Sequence, residues 1–304
     1  MRAAVVTEFG TPPTCRDFAD PQPRTEDEVV VDVLAAGLHP RVRSQAGGTH
    51  YTGTGELPLV PGIDGVGRAP DGTLRYFVLP DTSLGSMAER TVVDVRRSVV
   101  LPADADPIAV AAGMNPAMSA WIALRRRIEF AAGQDVLVLG ATGNAGRLAV
   151  QVAKHLGAGR VIAAGRDPER LAAAEADETR TFDELGKAAD VDVVLDYVWG
   201  PPTTEALRTI VTERADRGRP LTWVEIGSVA GPAIELPSAA LRAARLQLVG
   251  SGQGSVPTKD IVAELRALVP EIESFRIDAR PVSLQDVEQA WRDTGTTQRV
   301  VVTP

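Results

Sequence analysis

The sequence predicts an α/β protein of two domains, a β-rich N-terminal domain followed by a doubly wound parallel sheet. Three observations predict it. Short apolar runs separated by turn residues fill residues 1–112, and an apolar run then turns through three glycines into an amphipathic segment at 136–156. After this segment, apolar runs alternate with helical patterns. The 304 residues exceed the usual size of one core, so two domains are expected.

The first domain is predicted from its strands and its turns. The clearest strands are 3–7, 29–36, 76–79 and 91–95. Thr-Pro-Pro, Gly-Gly, Pro-Gly and Asp-Gly pairs punctuate the same region, as between the strands of a β-rich domain. Asp106-Pro107 is typical of an N-cap followed by proline at the first helical position, so a helix begins there. A second helical segment is predicted nearby, over residues 116–126.

The second half alternates strands with helices. Asp167-Pro168 again indicates an N-cap with proline after it. This alternation predicts a parallel sheet with right-handed crossovers. The final run, 298–302, is too short for a domain of its own, so we expect it to complete either that sheet or the first domain. The predicted strands are 136–139, 160–164, 191–195, 221–226 and 246–249, and the helices between the last of them are 203–214 and 238–244.

Composition restricts the class of protein. The formal net charge of −8 disfavours nucleic acid as a partner. With 44% hydrophobic residues and no run near the roughly 20 uncharged apolar residues of a membrane helix, a soluble protein without a membrane span is expected. The N-terminal sequence lacks a signal-peptide pattern, which predicts a cytoplasmic location. The single Cys15 excludes an intramolecular disulfide and a cysteine-cluster zinc site.

The stretch Gly140-Ala-Thr-Gly-Asn-Ala-Gly146, here called the glycine cradle, predicts a dinucleotide site. Glycines allow a tight turn and let the backbone approach a pyrophosphate at the positive end of the next helix. The spacing departs from Gly-x-Gly-x-x-Gly, so the prediction depends on the preceding strand and following helix; the alternative is ordinary turn glycines of another α/β domain. The predicted cofactor-binding residues here are Ala141, Thr142, Gly143, Asn144 and Ala145.

The end of the second strand of this unit predicts NADPH as the cofactor. Gly165 leaves room for a 2′-phosphate, and Arg166 supplies planar donors for its oxygens. Asp167 is better placed to cap the next helix than to bind a ribose. Small residues after later strands are also predicted to approach the cofactor, with ordinary turns as the alternative. They are Gly227, Ser228, Gly250, Ser251 and Gly252.

Three stretches together resemble the medium-chain dehydrogenase/reductase superfamily, and within it the zinc-independent quinone oxidoreductase-like branch. They are Leu59-Val-Pro-Gly-Ile-Asp-Gly-Val-Gly67, Asn115-Pro-Ala-Met-Ser-Ala-Trp-Ile-Ala-Leu124 and the glycine cradle. The resemblance implies a GroES-like β-barrel domain over 1–113, completed by 253–304, and a Rossmann NADPH-binding domain over 114–252. It also implies a homodimer formed through the nucleotide-binding domains.

The same resemblance bears on metal and substrate. Zinc-dependent relatives have their catalytic ligands at positions that correspond here to His39, Ile63 and Asn115. Only one of these is a good zinc ligand, so no catalytic zinc is expected. The expected substrates are quinones or α,β-unsaturated carbonyl compounds, in which a conjugated carbonyl takes up the charge of the arriving hydride.

The catalytic candidates also come from the resemblance. It places His39 and Asn115 beside the nicotinamide and Tyr51 over the substrate pocket. His39 has a second interpretation, in which it fills the vacated metal site with a structural hydrogen bond, and both stay open. Trp199 is expected either to line the cleft from the end of a strand or to lie in the core.

Two other functions remain possible from the sequence. One is an enoyl reductase acting on carrier-bound or CoA-bound intermediates, which requires a basic patch, with Arg41 and Arg43 as the nearest candidates. The other is a non-catalytic NADPH-binding redox sensor, which would bind the cofactor without turnover.

Overall fold

A computed structural model of the chain describes residues 1–50 and 52–304, so the predicted site residue Tyr51 lies outside the described residues. The chain divides into two compact units. Unit 1 contains Met1–Asn115 and Thr258–Pro304, and unit 2 contains Pro116–Pro257. The boundaries expected from the sequence were at 113 and 252.

Unit 1 is built on a mixed sheet of seven strands, in the order β14-β15-β3-β4-β5-β7 with β6 paired to β3, beside the two-stranded sheet β1-β2. The long β3 is central because it pairs with β4, β6 and β15. The strands of unit 1 are β1 (Arg2–Val5), β2 (Thr14–Asp17), β3 (Glu28–Gly37), β4 (Asp64–Arg68), β5 (Leu74–Val78), β6 (Arg90–Asp94), β7 (Ser98–Val100), β14 (Ala279–Ser283) and β15 (Arg299–Thr303).

The C-terminal segment belongs to unit 1. Val301 and Val302 of β15 lie opposite Gly37 and Ala36 of β3 in an antiparallel pair, and β14 lies on the other side of β15. The prediction that the tail completes either the parallel sheet or the first domain is confirmed in its second form.

The helices correct one prediction. They are α1 (Pro40–Ala46), α2 (Pro107–Ile122), α3 (Asn144–His155), α4 (Pro168–Ala172), α5 (Gly200–Glu213), α6 (Ser238–Ala243), α7 (Thr258–Leu268) and α8 (Val287–Arg292). Asp106 accepts a hydrogen bond from the N–H of Ile108 at 2.8 Å, so the predicted N-cap is confirmed. The two expected helical segments are one helix that contains Pro116 and continues into a short π-helix, Ala123–Arg127. A proline removes one backbone donor, and the buried apolar residues around it keep the helix continuous.

The span Pro107–Arg127 also corrects the expectation that no segment is long and apolar enough to cross a membrane. Its 21 residues pass that test by length and composition. In its 18-residue apolar window, 67% is buried inside the protein, and core helices of globular proteins pass the same test.

Unit 2 contains an all-parallel sheet in the order β10-β9-β8-β11-β12-β13. Numbered along the chain, this is the 3-2-1-4-5-6 order of a Rossmann sheet, whose strand order reverses between β8 and β11. The predicted α/β fold class is confirmed. The strands are β8 (Asp135–Leu139), β9 (Arg160–Gly165), β10 (Glu178–Thr181), β11 (Val193–Asp196), β12 (Leu221–Glu225) and β13 (Leu246–Gly250).

Candidate functional site

The glycine cradle connects the end of β8 to the start of α3. Gly140 has φ +84°, a conformation that suits glycine. Its N–H and that of Ala141 both donate to the carbonyl of Ala164 at the end of β9, at 2.9 and 3.0 Å. The turn is therefore fixed to the neighbouring strand.

Gly146 brings the first turn of α3 against the end of β8. A Cβ at this position would lie 2.3 Å from the carbonyl oxygen of Gly140 and 2.7 Å from Cα of Ala141. Both are backbone atoms, so any side chain here would push the helix away from the turn. The third glycine of the cradle is required for this close packing.

The N-terminus of α3 has backbone donors to offer. Gly143 is the N-cap, in an extended conformation, and has no side chain with which to cap the helix. Within residues 1–50 and 52–304, the N–H groups of Asn144 and Ala145 find no acceptor. Free N–H groups at the positive end of a helix form an anion site, so the cradle fits a pyrophosphate.

Two arginines lie near the cradle at the end of β9. Arg166 is exposed, and its guanidinium has no hydrogen-bond or ion-pair partner in the described part of the chain. Asp167 accepts from the N–H groups of Glu169 and Arg170, at 3.0 and 3.2 Å, so its predicted role as N-cap is confirmed. The side chain of Arg170 donates to the carbonyl of Thr142 at 3.3 Å.

Arg170 was missed by the sequence analysis. It follows the N-cap and proline that drew attention to this segment, but its contact with a residue 28 positions away is not visible in a local pattern. Gly165 is close to the same loop, since a Cβ there would lie 3.0 Å from Cγ2 of Thr142. The structure therefore gathers Gly165, Arg170 and the cradle at one edge of the sheet.

Tyr197, directly after β11, packs between two predicted glycines. A Cβ on Gly140 would lie 3.4 Å from Cβ of Tyr197, and one on Gly227 would lie 3.3 Å from its carbonyl oxygen. The Tyr197 hydroxyl lies 2.8 Å from that of Ser119, and burial raises its pKa. Gly227 thus lies near the cradle, with exposed Ser228 next along the chain. Ser119 lies in the quoted stretch 115–124, but neither Ser119 nor Tyr197 was predicted as a site residue.

The other predicted glycines are farther away. Gly250 ends β13, and β11 and β12 lie between this edge strand and β8. The carbonyl of Gly250 accepts from Nε of Arg127 at 2.9 Å, and Gly252 is bonded to Ser255. Ser251 is buried and donates its N–H to the carbonyl of Glu225. These three residues lie at or just after the end of β13, which is separated from the strand that leads into the cradle by β11 and β12.

In unit 1, His39 is the N-cap residue of α1 and is only 4% exposed. Its Nε2 lies 3.0 Å from Oδ1 of Asp64, which is fully buried at the start of β4. The hydroxyl of Tyr76 donates to Oδ2 of the same carboxylate at 2.8 Å. An ionised carboxylate only accepts, so the proton of the neutral imidazole lies on Nε2 and Nδ1 is an acceptor.

A buried cation completes this network. Arg299 of β15 is 5% exposed and donates to the carbonyl of Leu38 at 3.2 Å. Burial lowers the pKa of Arg299 to about 10, against the opposing effect of Asp64. Burial also lowers the pKa of His39, again opposed by Asp64, so this histidine is neutral near pH 7.

The structural hydrogen bond that was one interpretation of His39 is therefore present, and its contact with substrate stays a prediction. Asn115 is half-buried on α2 at the end of the first segment of unit 1. Asp64 was quoted in the Pro-Gly-Ile-Asp-Gly motif but was not recognised as the partner of His39.

Comparison with known proteins identifies the family. No family model matches the chain. A probable NADPH-dependent quinone reductase of Emericella nidulans is 32% identical over an alignment of 361 positions that covers all of both chains. The chain belongs to the medium-chain dehydrogenase/reductase family.

Two further relatives agree with this membership. The quinone oxidoreductase of Thermus thermophilus, whose structure was also determined with NADPH, is 29% identical with a TM-score of 0.83 over the full length of both chains. The chloroplastic NADPH-dependent alkenal/one oxidoreductase of Arabidopsis thaliana is 31% identical over 188 residues, 57% of this chain and 45% of that protein.

In this medium-chain reductase, Ile63 is 2% exposed and packs in an apolar cluster with Val42 and Met87. It contributes no metal ligand. Outside the undescribed position 51, no group of three or more His, Cys, Asp or Glu side chains is arranged to hold a metal ion.

Proposed function

We propose that this protein is an NADPH-dependent reductase of quinones or α,β-unsaturated carbonyl compounds that works without zinc. The observation that carries the proposal is the uncapped N-terminus of α3 beside a loop to which Arg170 is bonded. NADPH is the cofactor of the full-length relative from Emericella nidulans by its name, and it supplies a hydride when bound.

Different residues of unit 2 bind the pyrophosphate and the 2′-phosphate of the cofactor. The N–H groups of Asn144 and Ala145 are placed for pyrophosphate oxygens. Arg166 and Arg170 supply two cations for a 2′-phosphate, while Gly165 adds no side chain between them and the cradle. Asp167, the acidic residue next along the chain, directs its carboxylate at the N–H groups of Glu169 and Arg170 at the start of α4.

The buried network of unit 1 limits what His39 contributes. With its Nε2 proton committed to Asp64 and its pKa lowered by burial, His39 offers an acceptor at Nδ1 and no acidic proton near pH 7. A quinone or enone suits such a site because its conjugated carbonyl delocalises the negative charge without a Lewis acid. We infer that the proton completing the reduction comes from water.

The enoyl-reductase alternative requires cations free to bind an acidic carrier. Arg41 forms an ion pair with Asp81 at 2.9 Å. Arg43 stacks on the ring of Trp291 and donates to its carbonyl at 2.6 Å. Both candidate cations are already engaged, which favours a small-molecule substrate.

We also propose a homodimer that pairs the β13 edges. β13 is the last strand of the parallel sheet, and its residues Leu246, Leu248 and Val249 are only half-buried. An exposed edge strand with apolar side chains is usually covered by another part of the protein or by a partner chain. The cytoplasmic location and the exclusion of nucleic acid and membrane as partners stay predictions.

The function is tested by following NADPH oxidation with a panel of quinones, enones and enoyl thioesters, together with elemental analysis of the purified protein. We expect turnover with quinones or enones, much less than one zinc per chain and no effect of chelators. Turnover confined to enoyl thioesters would favour the alternative enzyme. NADPH binding without turnover on any compound would favour a redox sensor, and one zinc per chain with activity lost on chelation would contradict the zinc-free mechanism.

A further inference from the structure

Trp199 has a strained backbone at the end of β11. Its φ is 52° and its ψ is −165°, a region that is populated almost only by glycine. β11 lies next to β8, at the point where the strand order of the sheet reverses. The carboxyl ends of the strands at this point form the crevice in which such sheets bind ligands. Strain of this kind persists where the surrounding structure imposes it, often at a binding site.

Asp196 imposes this conformation. Its carboxylate is fully buried and accepts four hydrogen bonds. Oδ1 accepts from the N–H groups of Val198 and Trp199, at 2.8 and 3.1 Å. Oδ2 accepts from the hydroxyl of Thr203 at 2.7 Å and from the indole N–H of Trp223 at 3.0 Å. Every acceptor direction of the carboxylate is used, so the turn has little freedom to relax.

The following residue is held from its other side. Gly200 has φ +65°, and a Cβ there would lie 2.7 Å from the carbonyl oxygen of Ala230. The N–H of Ala230 donates to the carbonyl of Val198 at 2.8 Å. The turn is therefore fixed between Asp196 and the loop that follows β12.

The indole of Trp199 differs from that of Trp223. Trp223 is fully buried and uses its N–H on Asp196. Trp199 is partly exposed, and in residues 1–50 and 52–304 its indole N–H has no acceptor. Val198, its neighbour, is close to the cradle, since a Cβ on Gly140 would lie 3.1 Å from a Val198 methyl carbon.

We propose that Trp199 is a cofactor contact, whose indole lies against the part of NADPH that crosses the glycine cradle, and that Asp196 is its positioning residue. The part concerned is the pyrophosphate with its adjoining ribose, and the indole N–H donates to one of their oxygens. This inference rests on the proposed function, because it takes NADPH as the ligand. It explains why a glycine-only conformation is occupied by tryptophan.

The contact is tested directly by NMR of the four indole N–H groups in the wild-type protein. The resonance that is missing in Trp199→Phe belongs to Trp199, and we expect it to move most when NADPH is added. Calorimetry should show NADPH binding roughly 5- to 30-fold weaker in Trp199→Phe, as expected for a lost hydrogen bond with part of the ring contact. Trp291→Phe, a tryptophan of unit 1, is the matched control and should bind as the wild type does.

The strain is tested by comparing Trp199→Gly with Trp199→Ala. Both lack the indole, but only glycine suits the backbone, so the glycine variant should melt about 2 to 4 °C higher while both bind NADPH weakly. An unmoved Trp199 resonance with an unchanged Kd in Trp199→Phe would overturn this inference alone. A wild-type protein that binds no NADPH would overturn the proposed function and this inference with it.

Discussion

Nε2 of His39 lies 3.0 Å from Oδ1 of Asp64, and both side chains are buried. The pair is surrounded by charged and titratable groups on other elements, namely Tyr76 on β5, Arg299 on β15 and Arg41 on α1. Burial lowers the pKa of His39 more than the Asp64 carboxylate raises it. Protonation of this histidine therefore opposes folding.

Acid sensitivity follows from this pair. Below about pH 6.5 His39 becomes protonated in the unfolded chain, while in the native protein it stays neutral because its pKa is lower. The free energy of unfolding is therefore unaffected by this group above that pH, and it decreases as the pH is lowered toward the native pKa. We expect His39→Asn to lose less of its melting temperature than the wild type between pH 7.5 and 5. The exposed His155→Asn is the control and should follow the wild type. Burial also lowers the pKa of His50, so His50→Asn measures the second contribution of the same sign. An equal fall in melting temperature between pH 7.5 and 5 in the wild type and in His39→Asn would contradict the prediction.

Arg166 and Arg170 should select NADPH over NADH. A charge-assisted contact with the 2′-phosphate is worth about 1.5 to 3 kcal/mol, so Arg166→Ala should weaken NADPH by roughly 10- to 150-fold. Arg170→Ala should act in the same direction and also loosen the Thr142 turn. NADH affinity should change little in Arg166→Ala. Arg208→Ala, an exposed arginine paired with Glu205 on α5, should leave both affinities unchanged. Calorimetric titrations in which Arg166→Ala weakens NADPH and NADH alike would refute this assignment.

Gly146 and Gly143 should respond differently to alanine. In Gly146→Ala the new Cβ meets backbone atoms at 2.3 and 2.7 Å, so we expect a loss of stability of about 1 to 3 kcal/mol and of NADPH binding. In Gly143→Ala the nearest atom is 3.6 Å away and φ is −82°, so the fold should tolerate the change. Its methyl group lies beside the free N–H groups, so NADPH affinity should still fall. Urea unfolding and NADPH titration of both variants check this; a Gly146→Ala protein as stable as Gly143→Ala would show that the packing is looser than described.

The β13 edge should pair two copies of the chain. Sedimentation equilibrium at micromolar concentration should give twice the 32.1 kDa mass of one chain. Gln247 is an exposed residue in the interior of this strand, and Gln247→Pro should shift the protein toward the monomer because proline disrupts pairing in a strand. The exposed Val100→Pro on β7 of unit 1 is the control, which should keep the dimer. A wild-type monomer at this concentration would end the proposal.

Local patterns predicted the parts of this structure that depend on neighbouring residues. The glycine cradle, the N-caps Asp106 and Asp167 and five of the six strands of the parallel sheet follow from periodicity and turn chemistry, which act over a few residues. The sixth strand, β10, was missed because its sequence Glu-Thr-Arg-Thr has no apolar residue. β4, with the sequence Asp64-Gly-Val-Gly-Arg68, was missed because glycine is unfavourable inside a strand. Here the strand is stabilised by its pairing with β3 and β5 on either side.

The rest depends on contacts between distant positions. Asp64 meets His39 across 25 residues, and Arg299 meets Leu38 across 261. Asp196 meets the Trp223 indole across 27. No pattern in a single sequence encodes such pairs, because the partner of a buried carboxylate depends on which strands are neighbours in the sheet. The unusual φ of Trp199 was equally hidden, since its sequence neighbours are no guide to strain that Asp196 imposes.

The pairing of β15 with β3 has a consequence for biosynthesis. Unit 2 is continuous in sequence, so it has all its strands once its last residue has left the ribosome. Unit 1 must wait, because Ala36 and Gly37 of β3 emerge more than 250 residues before their partners Val302 and Val301 of β15, and before Arg299, whose charge acts on Asp64. During that interval β4 and β6 can already pair with the rest of β3, while Ala36 and Gly37 lack the partner that β15 provides. A chaperone that binds extended apolar segments would find its target at this end of β3 until β15 has been synthesised.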